Sequence, residues 1–288
     1  MRTRVDVRLR ELPKPVPVVY SWLIVVTSIK YGTRGMLEIS AETSYDLKFQ
    51  LLRIPVRIHP MFWVVAACLG WRGEYLGLTV VWVGCVFVSI LVHEFGHGLA
   101  ARHFGGHPSI VLQTMGGLCS SSGWASAWES IVIILAGPLA GLALFLVVLT
   151  GCDLWIGLNL SDAIGIIGFG NGAQLESARD KIFLIQNMYV RTAIINLISI
   201  NLYWSLINLL PIFPLDGGQL LGVTLSQTRL TNATRLTHVV GLVVSGIIAA
   251  YFLQGGGLSF TAIWFGYFAF YNFQILQAMQ GQGFDRWN

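Results

Sequence analysis

Four stretches of the chain contain no Asp, Glu, Lys or Arg: Tyr75–Val92, Ser130–Cys152, Thr192–Leu215 and Leu236–Phe284. Uncharged apolar runs of this length predict membrane helices, since about 20 residues cross the hydrocarbon of a bilayer. The last run is too long for one crossing, and Gly255-Gly256-Gly257 divides it. Spans are expected near 75–95, 130–152, 192–210, 238–254 and 258–280. A sixth, Ile58–Trp71, is short and stops at Arg72-Gly73-Glu74, which a tilt-free helix or a locally thinned bilayer accommodates. Trp124, Trp128 and Trp155 flank the 130–152 run, as side chains that settle at headgroup level do. Val18–Ile29 is also apolar, but it is brief, β-branched and preceded by Pro13, Pro15 and Pro17, so it stays unassigned.

Composition agrees with the pattern. Of 288 residues, 55% are hydrophobic and 11% charged, whereas a soluble domain carries about 25% charged residues. The expected fold class is therefore an all-α polytopic membrane protein of about six transmembrane helices. Thirty-two glycines suit close helix packing and helix breaks beside a polar cavity. Ten of the eighteen Lys and Arg fall within residues 1–57. That concentration reads as a cytoplasmic flank rather than a nucleic-acid surface. It divides the chain into a basic cytoplasmic segment, 1–56, and a transmembrane core, 57–284. No secretory signal peptide is recognised at the start, so the first span is expected to act as its own insertion signal. The four cysteines show no paired spacing and read as reduced, buried small residues.

Polarity returns at one costly place. "SILVHEFGHGLAARHF", residues 89–104, puts two histidines and a glutamate at the end of an uncharged run. On a helix His93 and His97 lie about 40° apart on one face, and both imidazoles can reach one Zn2+. Glu94, about 100° round, stands where a general base meets the metal's water. From the chain's own His and Glu frequencies this pattern is expected by chance only about 0.003 times. Intramembrane ionisable groups are normally functional, which weighs against three polar residues merely satisfied at a helix end.

A catalytic zinc needs a third protein ligand and one open position. Asp216 is the candidate, because it ends the 192–215 run and Pro211 and Pro214 break the helix before it. Alone it reads equally as a turn aspartate before glycine. Topology favours the ligand: with a cytoplasmic N-terminus and alternating spans, the 75–95 and 192–210 spans both run inward and end at one level.

Five segments together resemble the site-2 protease family of intramembrane zinc metalloproteases: "RIHPMFW" at 57–63, "HEFGHGLAARHFG" at 93–105, "MGGL" at 115–118, "AGPLAG" at 136–141 and "NLLPIFPLDGGQL" at 208–220. Lacking a PDZ-like insert, the chain looks most similar to the branch of the bacterial sporulation protease that processes a membrane-tethered pro-sigma factor. The resemblance implies that His93, His97 and Asp216 hold one zinc ion and that Glu94 activates water. It further implies that Asn208 orients substrate or serves the oxyanion, where an interhelical hydrogen bond is the alternative. Gly116 and Gly117 would follow a membrane-embedded extended segment, near 108–118, to which substrate adds as a strand. Thr114-Met115 departs from the Pro-Phe of many relatives. Gly137-Pro138 is expected to kink its helix. His59 is expected to set the start of its span, His103 and His107 to lie in a cytoplasmic loop, and His238 to be interfacial.

The expected function is that of a multi-pass membrane metalloendopeptidase acting within or near the transmembrane segment of a membrane-anchored protein. Its partners would be that substrate and the lipid bilayer, with no nucleic acid, and any regulatory membrane partner is unknown. Two other readings fit the same cluster: a divalent-metal or ion transporter, and a proteolytically silent relative that only binds client helices. Symmetry between halves would favour transport, and none is visible.

Overall fold

The computed structural model describes residues 41–114, 116–123, 125–228, 230–254 and 260–284. Val18–Ile29, Met115, Trp124 and the triple glycine lie outside them. The order is β1 (Leu47–Leu51), β2 (Ile54–Ile58), α1 (Pro60–Leu69), α2 (Leu76–His103), β3 (His107–Gln113), β4 (Gly116–Ser122) and α3 (Ala127–Ile156). There follow α4 (Leu160–Ile166), α5 (Gly172–Phe183), α6 (Met188–Asn208), α7 (Asp216–Ser226), α8 (Ala233–Gln254) and α9 (Phe260–Phe284).

Among the described residues four helices, α2, α3, α6 and α8, are long and apolar enough to cross a membrane. They expose large apolar side chains such as Val80, Val147 and Ile247, as a lipid-facing surface requires. At 10 residues, α1 rises only about 15 Å, half the hydrocarbon thickness. It is shorter than the helix expected over 58–71. His59 sets its start as anticipated: Nδ1 accepts from the Met61 backbone amide at 3.2 Å, and Pro60 needs no partner for a missing N–H.

The extended element is larger than expected. Four strands form one sheet in the order β1-β2-β3-β4. The outer pairs are antiparallel and β2 pairs with β3 in parallel. The expected boundary between residues 56 and 57 falls inside β2, and residues 107–122, expected as loop apart from one extended segment, form two strands. Burial alternates along "IPVRI", with Ile54, Val56 and Ile58 inward. Those residues, with Ile110 and Leu112 of β3, pack on Phe62 of α1 and on Ile90 and Phe95 of α2. The sheet is thereby fixed against the half of α2 that carries the histidines. A second core, at the other end of α3 and α6, buries Leu158, Ala163, Ala178 and Ile182 of the α4–α5 region. A third joins Ile212, in the loop before α7, to Ala249 of α8 and Phe265 and Phe268 of α9.

Candidate metal centre

Two helices, α2 with both histidines and α7 with Asp216, deliver the three expected ligands to one point. Among the described residues, His93, His97 and Asp216 are the cluster able to hold a metal ion, and all three are buried. His93 Nε2 lies 3.1 Å from Asp216 Oδ2, His97 Nε2 lies 3.2 Å from His93 Nε2, and His97 Nε2 lies 3.4 Å from Asp216 Oδ1. Ligands about 2.0–2.1 Å from a tetrahedral zinc stand about 3.3 Å apart. The observed triangle has that size, and two imidazole nitrogens with one carboxylate is a donor set zinc accepts while keeping a fourth position open. The imidazoles meet edge to face, 4.9 Å between centroids, so their nitrogens converge without stacking.

The second nitrogen of His97 fixes its ring. Nδ1 stands 2.8 Å from the Ile133 carbonyl of α3. A carbonyl only accepts, so Nδ1 carries the proton and Nε2 presents its lone pair to the cluster. This geometry needs α2 and α3 very close. A Cβ on Gly96 would lie 2.2 Å from the Ala136 carbonyl, and one on Gly137 would lie 2.1 Å from His97 Nε2. Gly137 was expected only to kink α3 with Pro138; instead it makes room for a ligand. The signal was legible, because Gly137 and Gly141 form a small-xxx-small pair. A Cβ on Gly141 would lie 2.4 Å from Ser205 Oγ of α6.

Asp216 arrives by a different device. The chain leaves α6 after Asn208, turns through Pro211 and Pro214, and starts α7 at Asp216. A Cβ on Gly217 would meet the Leu209 carbonyl at 2.1 Å, and one on Gly218 the Phe213 nitrogen at 2.3 Å. "DGG" is thus required by sterics: only residues without Cβ let α7 start against the loop that precedes it.

Glu94 is buried beside the triangle and is not one of its vertices. It faces β4. A Cβ on Gly117 would lie 2.4–2.5 Å from the Glu94 carboxyl group, and the Cys119 main chain hydrogen-bonds that carboxylate. Gly116 has φ +120°, a left-handed conformation that favours glycine, and a Cβ there would lie 3.1 Å from the Trp204 ring. The double glycine therefore lets an edge strand approach Glu94.

Other expected residues are placed differently. Asn208 is buried, and its Nδ2 donates to the Trp204 carbonyl of its own helix at 2.8 Å. His103 ends α2 and His107 begins β3. His238, near the start of α8, is 2% exposed, with Nδ1 2.9 Å from Asn272 Oδ1. Sequence reading passed over Asn272, although a polar amide within an uncharged membrane run was a usable signal.

Residues 82–252 match the model of Peptidase family M50. The chain belongs to that family, its His93/His97/Asp216 cluster is compatible with zinc, and its apolar helices make it an integral membrane protein. Among individual relatives, it is 30% identical over 139 residues to a putative zinc metalloprotease of Synechocystis, covering 47% of this chain and 29% of that one. It is 26% identical over 179 residues to stage IV sporulation protein FB of Bacillus subtilis, covering 61% and 49%. It is also 26% identical over 189 residues to a zinc metalloprotease of Methanocaldococcus jannaschii, covering 64% and 47%. The chain thus matches half or less of the length of each. The structure of the site-2 protease from Methanocaldococcus jannaschii shares the fold, with TM-score 0.51 and 21% identity over 81% of this chain and 95% of that one.

Proposed function

We propose that the protein is an intramembrane zinc metalloendopeptidase that hydrolyses a peptide bond within or beside the transmembrane segment of a membrane-anchored protein. The observation that carries this reading is the position of Glu94, next to the ligand triangle, outside it and against an edge strand. A transient cation site needs no such base, and membership of a peptidase family weighs against the transporter and silent-relative readings.

His93, His97 and Asp216 would hold the zinc, which when bound would supply Lewis-acid polarisation of a carbonyl and a lowered pKa of water. Glu94 takes the water's proton and passes it to the leaving amine nitrogen. Substrate adds as an extended strand alongside β4, the sheet edge that lies by Glu94. The extended form matters because a scissile bond in a helix is shielded by its own hydrogen bonds. Gly116 and Gly117 keep that edge within reach of the base. Asn208 would turn from Trp204 toward the substrate only when the site is filled.

Six crossings remain the proposed topology, with β2 and α1 in series making the first. Five strand residues and ten helical ones together span about 30 Å, and β2 is paired on both sides, so its backbone tolerates the membrane. The N-terminus and the opening of the site then face the cytoplasm.

Cleavage of a membrane-tethered substrate by purified wild type and Glu94→Gln tests the assignment. The variant is expected to keep about one zinc while its turnover drops by about 10²–10⁴-fold. Wild-type turnover in the variant, or loss of its zinc, would remove Glu94 from the role of base.

A further inference from the structure

A buried amide on the last helix reaches the loop that presents Asp216. Asn272 of α9 is fully buried, and its carboxamide is saturated. Nδ2 donates to the Phe268 carbonyl of its own helix at 2.8 Å and to the Phe213 carbonyl at 2.7 Å. Because both protons of the NH2 group are thereby used, Oδ1 is the acceptor that faces His238 Nδ1 at 2.9 Å. Phe213 is three residues before Asp216 and is held by its ring as well. It stacks on Tyr271 of α9 at an interplanar angle of 8°, and it meets His238 of α8 edge-on at 5.1 Å.

From Phe213 onward the backbone leaves little slack. The Leu215 amide bonds the Ile212 carbonyl at 2.8 Å, the Gln219 side chain bonds the Pro214 carbonyl at 3.0 Å, and Gly218 sits against the backbone of Ile212 and Phe213. A carbonyl pinned at Phe213 therefore fixes the start of α7 and with it the Asp216 carboxylate. The clamp also comes from α8, because a Cβ on Gly241 would lie 2.8 Å from Asn272 Oδ1.

We infer that Asn272 is a positioning residue for the metal centre, holding the Phe213 carbonyl so that Asp216 meets His93 and His97. This rests on Asp216 being the third ligand. Outer partners that orient ligands typically contribute 10–100-fold to metal affinity.

The experiment is a zinc titration of the full-length purified protein against a chromophoric chelator, with kcat and KM measured at limiting and saturating zinc. Asn272→Leu keeps the size and removes the donor. It is expected to weaken zinc binding by about 10–100-fold, to lower kcat at limiting zinc with KM for substrate unchanged, and to recover when zinc saturates. Ile182→Ala, in the core at the other end of the bundle, destabilises the fold without touching the Asn272–Phe213 bond, so it is expected to lower Tm and keep wild-type zinc affinity. If Asn272→Leu yields no folded protein, Gly241→Ala, which displaces the carboxamide from α8, carries the same expectation. Wild-type zinc affinity in the Asn272 variant, or equal loss in Ile182→Ala, overturns the inference. Asp216→Ala separates the two layers: if it too binds zinc normally, the ligand assignment has failed, whereas loss there with none in Asn272→Leu removes only the positioning role.

Discussion

Two buried aspartates, at opposite ends of the bundle, show how surroundings decide what a carboxylate does. Both stand in the first turn of a short helix, Asp162 in α4 and Asp216 in α7. Asp162 accepts from the Asn159 amide at 2.9 Å, from Ser177 Oγ at 2.7 Å and from Lys181 Nζ at 2.6 Å. Its charge is matched by a cation and its lone pairs are occupied by donors, so the group is complete without a ligand. Asp216 faces two imidazoles, one of which must present a lone pair, at separations set by a metal's coordination sphere. One carboxylate closes a fold and the other opens a chemistry. Burial of an acid is therefore uninformative until its partners are known.

Exchanging each for its amide breaks the comparison most sharply. Asp216→Asn is expected to abolish cleavage and to cost most of the bound zinc, because a neutral amide is a far weaker zinc donor. Asp162→Asn is expected to retain zinc and turnover while losing about 1.5–3 kcal/mol of stability, the scale of hydrogen bonds to a charged group. Zinc content and thermal unfolding of the two variants, side by side, decide it. Zinc loss in Asp162→Asn, or normal cleavage by Asp216→Asn, would erase the distinction.

The two ends of α3 sharpen it further. At the end with the His93/His97/Asp216 cluster a Cβ on Gly137 falls on His97 Nε2, whereas a Cβ on Gly151 meets nothing within 4 Å. Gly137→Ala is expected to raise the zinc dissociation constant at least about tenfold by moving a ligand. Gly151→Ala is expected to leave it unchanged. A chelator titration of both reads the difference, and equal affinities would mean that α2 and α3 separate easily.

How much was legible follows the same division. His93, Glu94, His97 and Asp216 stood out because charge and polarity are rare in an apolar chain, and a fixed helical spacing links three of them. Four long helices were visible for the same reason. The β1–β2 hairpin was not, since five-residue strands inside a basic segment carry too little period to separate from loop, and pairing with the distant β3 is what stabilises them. Gly137, Gly117 and Asn272 were present in the sequence as small or polar residues, but what each touches is set by helix crossings between distant segments. Asn208 shows the converse: an expected site residue bonds its own helix.

The smallest expected effect is the pH dependence of the α4–α5 end. Burial acts to raise the pKa of Asp162, but the hydrogen bonds from Lys181, Asn159 and Ser177 outweigh it and hold the carboxyl below its ordinary value. A depressed folded pKa means the stabilisation is fully present above the unfolded value, about 3.9, and is lost as pH falls through the lower folded one. Lys181→Met removes the cation and brings the folded pKa back up, so the variant is less stable than wild type at pH 7. As pH falls below the unfolded value toward the lower folded one, wild type loses this stabilisation and the gap in Tm is expected to narrow. Thermal unfolding of the metal-free proteins from pH 7 to 3 keeps ligand protonation at Asp216 out of the measurement. A gap that is absent at pH 7, or that persists undiminished in acid, would show that Lys181 contributes by packing its stem and that Asp162 is held by its cap alone.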